Sequence, residues 1–221
     1  MKKQILLFTF LTTSFLAFSQ SKPSVNVQAG VVNAGIKGEA ANSLDQLIDY
    51  TNGAITTNNR TGFYAGAAAN IPVSKIISVE PGLFYSQKGY EMKGELNVKG
   101  ASFIGANAKA QLNTHYVDLP VLLKANINGL QVFAGPQVSY LAKADLRTTA
   151  GVMGINLFNR RMDATEELNR WDAGVKGGVG YQFKNGFNVS ASYDHGLSRL
   201  DADKNVDAYN RAFKVGVGFT F

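Results

Sequence analysis

Eight charged residues sit in phase with polar or small neighbours on one face of alternating segments: Glu80, Lys88, Asp118, Lys124, Asp172, Lys176, Asp194 and Lys214. Charges of both signs on one face can neutralise one another, hold a polar substrate, or line a path for ions. A structural network is the first expectation here, because a narrow interior is filled by side chains, and conduction is the alternative. Hydrolytic chemistry needs a nucleophile, a base and an orienting acid within reach of one another. His195 lies in phase with Tyr193, while Asp194 and Ser198 fall on the opposite face, so no local triad forms. His115, the other of the two histidines, lies just before Tyr116 near a strand end, where it could join a rim site. The glycine-rich run GVKGGVGYQF (174–183) superficially suggests a phosphate loop. No helix follows it, and its glycines alternate with apolar residues as strand packing requires. No catalytic residue, metal ligand or cofactor is expected.

Composition removes other classes. With no cysteine, disulfides, thiolate metal sites and a lipidated cysteine anchor are excluded. The formal charge is +6, but the basic residues are scattered and form no run that would track a phosphate backbone, so nucleic acid is not an expected partner. Charged residues make up only 17% of the chain, and no internal stretch is apolar enough to cross a bilayer as a helix. The first residues, MKKQILLFTFLTTSFLAFSQ, carry two lysines, an apolar run from Ile5 to Phe18, and small residues at Ala17 and Ser19. This predicts a secretory signal over 1–19, cleaved after Ser19, with one domain over 20–221. Loss of Lys2 and Lys3 leaves a formal charge of +4.

The elements that would hold the charged face are strands. From Tyr209 to Phe221, odd positions read Tyr, Arg, Phe, Val, Val, Phe, Phe and even positions Asn, Ala, Lys, Gly, Gly, Thr; such alternation sends the two sets to opposite faces. The pattern recurs in Phe187–Asp194, Trp171–Phe183, Gln131–Tyr140 and Val117–Ile127, and in strands near 24–38, 61–71 and 76–90. Short connections at Pro72–Lys75, Asn128–Gly129 and Lys184–Gly186 alternate with long ones near 39–60, 91–111, 147–168 and 199–208. Eight strands joined in this way predict an all-β, antiparallel, up-and-down transmembrane barrel with three short periplasmic turns and four long external loops.

Alternation alone leaves open which face is inside, and a soluble barrel would turn the apolar set inward. Aromatics at the strand ends favour the opposite sense. Phe63, Tyr85, Tyr140, Trp171, Tyr193 and Tyr209 lie toward the long loops, and Tyr181, Phe183, Phe187, Phe219 and Phe221 toward the short turns, as in the two girdles of a bilayer protein.

ISVEPGLFYSQKG (77–89) and YVDLPVLLK (116–124) resemble the PorT-like outer-membrane β-barrel family of Bacteroidota, and the resemblance extends over the mature chain. It implies an eight-stranded barrel in the outer membrane of a Gram-negative cell. The family's eponymous member assists protein secretion, but most members have no assigned activity. Phe221, with apolar residues at alternate positions before it, resembles the C-terminal signal read by barrel-insertion machinery. Within the long loops, Ser43–Tyr50 predicts a short helix with Ser43 as N-cap, and Leu157, Phe158 and Met162 stand beside Arg160 and Arg161. The expected role is non-enzymatic: structural, adhesive, or secretion- and assembly-related through the loops. The alternatives are a narrow channel for small solutes or ions and, on fold size alone, a lipid-modifying enzyme. Expected partners are outer-membrane lipid and lipopolysaccharide, the insertion machinery, and an envelope protein.

Overall fold

The computed structural model describes residues 22–38, 55–97, 105–152, 155–202 and 207–221. The expected signal at 1–19 and the helix at Ser43–Tyr50 lie outside the described residues. Nine strands follow one another: β1 (Ser24–Lys37), β2 (Ile55–Pro72), β3 (Ile77–Asn97), β4 (Gly105–Ile127), β5 (Leu130–Val152), β6 (Ile155–Asp163), β7 (Trp171–Gln182), β8 (Phe187–Arg199) and β9 (Tyr209–Thr220). Every pairing between strands is antiparallel, and eight of the strands close a ring in the order β1-β2-β3-β4-β5-β7-β8-β9. The seam is the β1–β9 pair, in register from Asn26↔Thr220 to Lys37↔Tyr209.

The face that period two left open is settled by exposure. Leu83, Leu123 and Val132 are 57%, 57% and 54% exposed, whereas Asp118 and Lys214 are 1% exposed. A wall of exposed valine and leucine around a polar interior needs hydrocarbon outside it. The short connections are tight turns. At Asn128–Gly129 both central residues have positive φ, 53° and 93°, which makes the hairpin turn whose twist matches its strands.

Two expectations are corrected. A ninth strand, β6, occupies the third long connection, and segments assigned to loops near 55–60, 91–97, 105–111, 147–152 and 155–163 are strand. Above Tyr140, β5 leaves β7 and pairs with β6 from Asp145 to Val152. A bulge at Ala142 permits this: His115 pairs with Lys143 but Tyr116 with Leu141, so one residue is extra and the strand bends. The upper parts of β2, β3, β4, β5 and β6 thus form a five-stranded sheet on one side of the barrel. The twelve residues after Tyr85 correspond to about 40 Å of strand. These segments escape a period-two reading because beyond the membrane both faces meet water, so the apolar-polar contrast fades.

Candidate functional site

The interior is built from the even positions of β1–β4, β7, β8 and β9 and the odd positions of β5, and all eight charges named from the sequence point into it and are buried. Lys214 is the hub. Its Nζ lies 2.8 Å from Asp118 Oδ2 and 2.8 Å from Asp194 Oδ2, and it donates to Ser86 Oγ at 3.0 Å. Asp118 accepts from Lys88 at 3.0 Å and from the hydroxyls of Ser86 and Ser139 at 2.6 Å each. Lys176 sits 3.6 Å from Asp194. Toward the short turns, Lys124 pairs with Glu80 separately. Asp172 is not within ion-pair distance of any of the four lysines. It accepts from Asn210 Nδ2 at 2.8 Å, and Asn210 also donates to the Tyr116 hydroxyl at 3.2 Å. Four lysines and four acids sum to zero, the condition under which buried charges are tolerable.

Sequence reasoning missed a second set of interior residues: Tyr64, Phe84, Tyr116 and Phe133, all buried. Each lumen lysine lies over one of these rings. Lys88 is 4.7 Å from the Tyr116 centroid, Lys214 5.4 Å from Tyr64, Lys124 5.8 Å from Phe133, and Lys176 5.9 Å from both Tyr64 and Phe84. Such contacts stabilise a desolvated cation by about 0.5–2 kcal/mol each. The glycines opposite make the room. A Cβ on Gly216 would come 2.1 Å from the Tyr64 hydroxyl, and one on Gly178 would come 2.6 Å from the Phe133 ring. The signal was present: aromatics in the polar phase, facing glycines on neighbouring strands.

The lumen is packed with side chains. Two cavities among its described residues have volumes of about 20 Å³, beside Glu80, Lys124 and Phe133, and about 10 Å³, beside Lys88, Asp172 and Asp194, room for about one water each. At the long-loop end, Tyr116, Leu141, Ala144 and Ala164 make an apolar cluster with Leu112, Leu146 and Leu168. Backbone bonds stitch the connecting segments over it: Leu141 N to Arg170 O at 2.8 Å, Ala164 N to Ala144 O at 3.0 Å, Asn169 N to Leu200 O at 2.7 Å, and Leu200 N to Ala208 O at 2.8 Å.

On the outer wall, Phe63 and Tyr85 (5.5 Å between centroids), Tyr140 and Trp171 (4.9 Å), and Tyr193, paired across strands with Phe213, form the upper aromatic level. Tyr209 does not join it. It lies four residues beyond Phe213, half-buried, its hydroxyl 3.4 Å from Asp207. Tyr181, Phe183, Phe187, Phe219 and Phe221 form the lower level, with neighbouring rings 4.9–5.8 Å apart. His115 hydrogen-bonds the Tyr85 hydroxyl, and His195 packs 6.2 Å from Tyr193. Among the described residues neither histidine has a serine or carboxylate hydrogen-bond partner, and no cluster of three His, Asp or Glu is placed to hold a metal ion.

Three comparisons with known proteins bear on this architecture. No curated protein matches the chain. Among solved structures, the attachment invasion locus protein Ail of Yersinia pestis shares 12% identity over 91% of this chain and 100% of that one, with a TM-score of 0.43. Neisserial surface protein A shares 13% over 91% and 100% (TM-score 0.40), and OprG of Pseudomonas aeruginosa 14% over 92% and 98% (TM-score 0.34). Likenesses this distant say nothing about what the chain binds. The family model described as "Outer membrane protein beta-barrel domain" matches residues 18–202. With that match spanning most of a closed barrel that is apolar outside and charged within, the chain belongs to the outer membrane β-barrel domain family and resides in the outer membrane of a Gram-negative cell.

Proposed function

We propose that this protein is a non-enzymatic, non-conducting barrel that works by making contacts at the cell surface through the five-stranded sheet above its rim. The single observation that carries this reading is the pairing of a filled lumen with that projection. The interior charges neutralise one another around cavities of about 20 and 10 Å³, so the polar face has a structural use that leaves no open path. The projection ends in β6, where Leu157, Phe158 and Met162 are 75%, 47% and 49% exposed. Among the described residues, the outer edges of β6 and of upper β2 (55–59) have no further strand partner. Unpaired strand edges flanked by exposed apolar side chains are the material of protein–protein contact.

The chain has no cysteine, so a Leu157→Cys variant carries a photo-crosslinker at one place only. On intact cells the label is expected to give a discrete protein adduct, while the same label at Lys75→Cys, on a short turn, gives none at the surface. An envelope protein in the adduct favours the secretion- or assembly-related role that the resemblance to PorT-like barrels implies, and a protein from another cell favours adhesion. Absence of any adduct from folded, surface-exposed protein contradicts the proposal.

A further inference from the structure

A second polar surface lies on the outer wall, away from the lumen. On β3, Gln87 stands one outward position above the lipid-facing Tyr85; on β4, His115, which bonds Tyr85, is followed upward by Asn113 and Gln111. Arg147 pairs with Gln111 from β5, Arg161 pairs with Arg147 from β6, and Arg60 reaches in from β2 at the bulge opposite Gly89. Together they bound a cavity of about 550 Å³, far larger than either space in the lumen.

Its chemistry is that of a donor surface. Three guanidinium groups and four side-chain amides line it, with no carboxylate among the lining residues. Of the nearby acids, Asp145 pairs with Lys143 (3.6 Å) and with Arg161 of the site itself (3.0 Å), neutralising part of that guanidinium, while Glu91 pairs with Lys109 (2.8 Å) and Lys93 (3.2 Å). Arg60 Nη1 is buried without a hydrogen-bond partner. An arginine left with an unused, desolvated donor beside two more arginines is prepared for an oxyanion, and the planar fork suits phosphate best.

Position selects the source of that phosphate. The site starts one residue pair above the aromatic level, on the same outward phase as the side chains that meet hydrocarbon, so a molecule whose acyl chains pack on the wall presents its headgroup there. We infer that Arg60, Arg147 and Arg161 bind the phosphate-bearing headgroup of an outer-leaflet glycolipid, with Gln87 and Asn113 available to its sugar hydroxyls, while Gln111 is held by Glu91 and Asn159 orients Arg147. The inference rests on the outer-membrane placement and is independent of the proposed contact function.

The test is native mass spectrometry of the full protein purified from outer membranes in mild detergent, titrated with phosphorylated lipid A and with the same lipid after dephosphorylation. Wild type is expected to retain the phosphorylated form at least about tenfold better. The combined Arg60→Gln, Arg147→Gln and Arg161→Gln variant is expected to lose that preference, and a Lys75→Gln, Lys184→Gln control at the opposite rim to keep it. Should the triple variant not fold, as judged by heat-modifiable migration, Arg161→Gln alone, at a side chain 63% exposed, must still lower the preference. Equal retention of the two lipids by wild type, an unchanged preference in the arginine variants, or full displacement by excess inorganic phosphate would overturn the inference, the last by marking a free-anion site.

Discussion

At the scale of single residues, the interior is held by a lysine that bridges two acids. Lys214 is 1% exposed and lies 2.8 Å from each of Asp118 and Asp194. Lys214→Met keeps the bulk but leaves two buried carboxylates short of countercharge, and breaking a buried pair costs about 3–5 kcal/mol. Urea unfolding in detergent micelles, followed by the lone tryptophan Trp171, is expected to show a loss of that order. A neutral shift would mean that the network is not what holds the interior. Gly216→Ala tests the other half of the packing: its Cβ would meet the Tyr64 hydroxyl at 2.1 Å and the Ala29 carbonyl at 2.7 Å, an overpacking expected to cost about 1–3 kcal/mol by the same measurement. The charged set was readable because each member interrupts an apolar alternation. The rings above the lysines were not, because Tyr64 and Phe84 have the residue types of a lipid-facing belt and only their phase, opposite Gly216 and Gly66, shows that they turn inward.

At the scale of elements, the membrane strands and short turns were legible, and the strands above the membrane were not. Period two survives where one side meets lipid and the other a packed lumen, as along Tyr209–Thr220. It fades along Glu91–Asn97 and Gly105–Asn113, where lysines, glutamates and amides occupy the strands. The bulge at Ala142 hides β5 further, since Tyr140 and Leu141 are adjacent apolar residues on opposite faces. In this upper sheet Glu91 ties β3 to β4. Burial alone would raise its carboxyl, but hydrogen bonds from Lys109, Gln111 and Lys93 overrule it and hold it at about 2, below the ordinary 4.5. A depressed carboxyl stabilises the folded state above its unfolded value and loses that contribution as pH falls toward the folded one. The projection is therefore expected to loosen between pH 4.5 and pH 2, seen as faster amide exchange in Tyr90–Asn97 than in the membrane strands. Glu91→Gln should remove that pH dependence; exchange that accelerates equally in both variants would point to another group. At the lower rim, Gly129→Ala places a Cβ at φ 93° and 2.7 Å from the Gln182 carbonyl, and should lower stability by at least about 1 kcal/mol.

At the scale of the whole molecule, the apolar wall assigns the barrel to a bilayer, and a neutral, ring-capped charge network fills the space that a channel would need. The wall and the network are linked, since a narrow eight-stranded ring leaves a bore only as wide as its side chains. A closed lumen leaves the outer surfaces to act, which is why the projecting sheet is proposed for protein contact and the arginine-lined hollow above the aromatic level for a phosphorylated lipid. The most direct measurement of the closed lumen is conductance of the folded protein in a planar bilayer, with heat-modifiable migration confirming the barrel. A silent membrane for wild type is the expected result, with at most flickering openings once Lys214 is replaced by alanine. Discrete, reproducible openings in wild type that change amplitude when Lys124 or Lys214 is replaced would contradict it and make the lumen charges a conduction path.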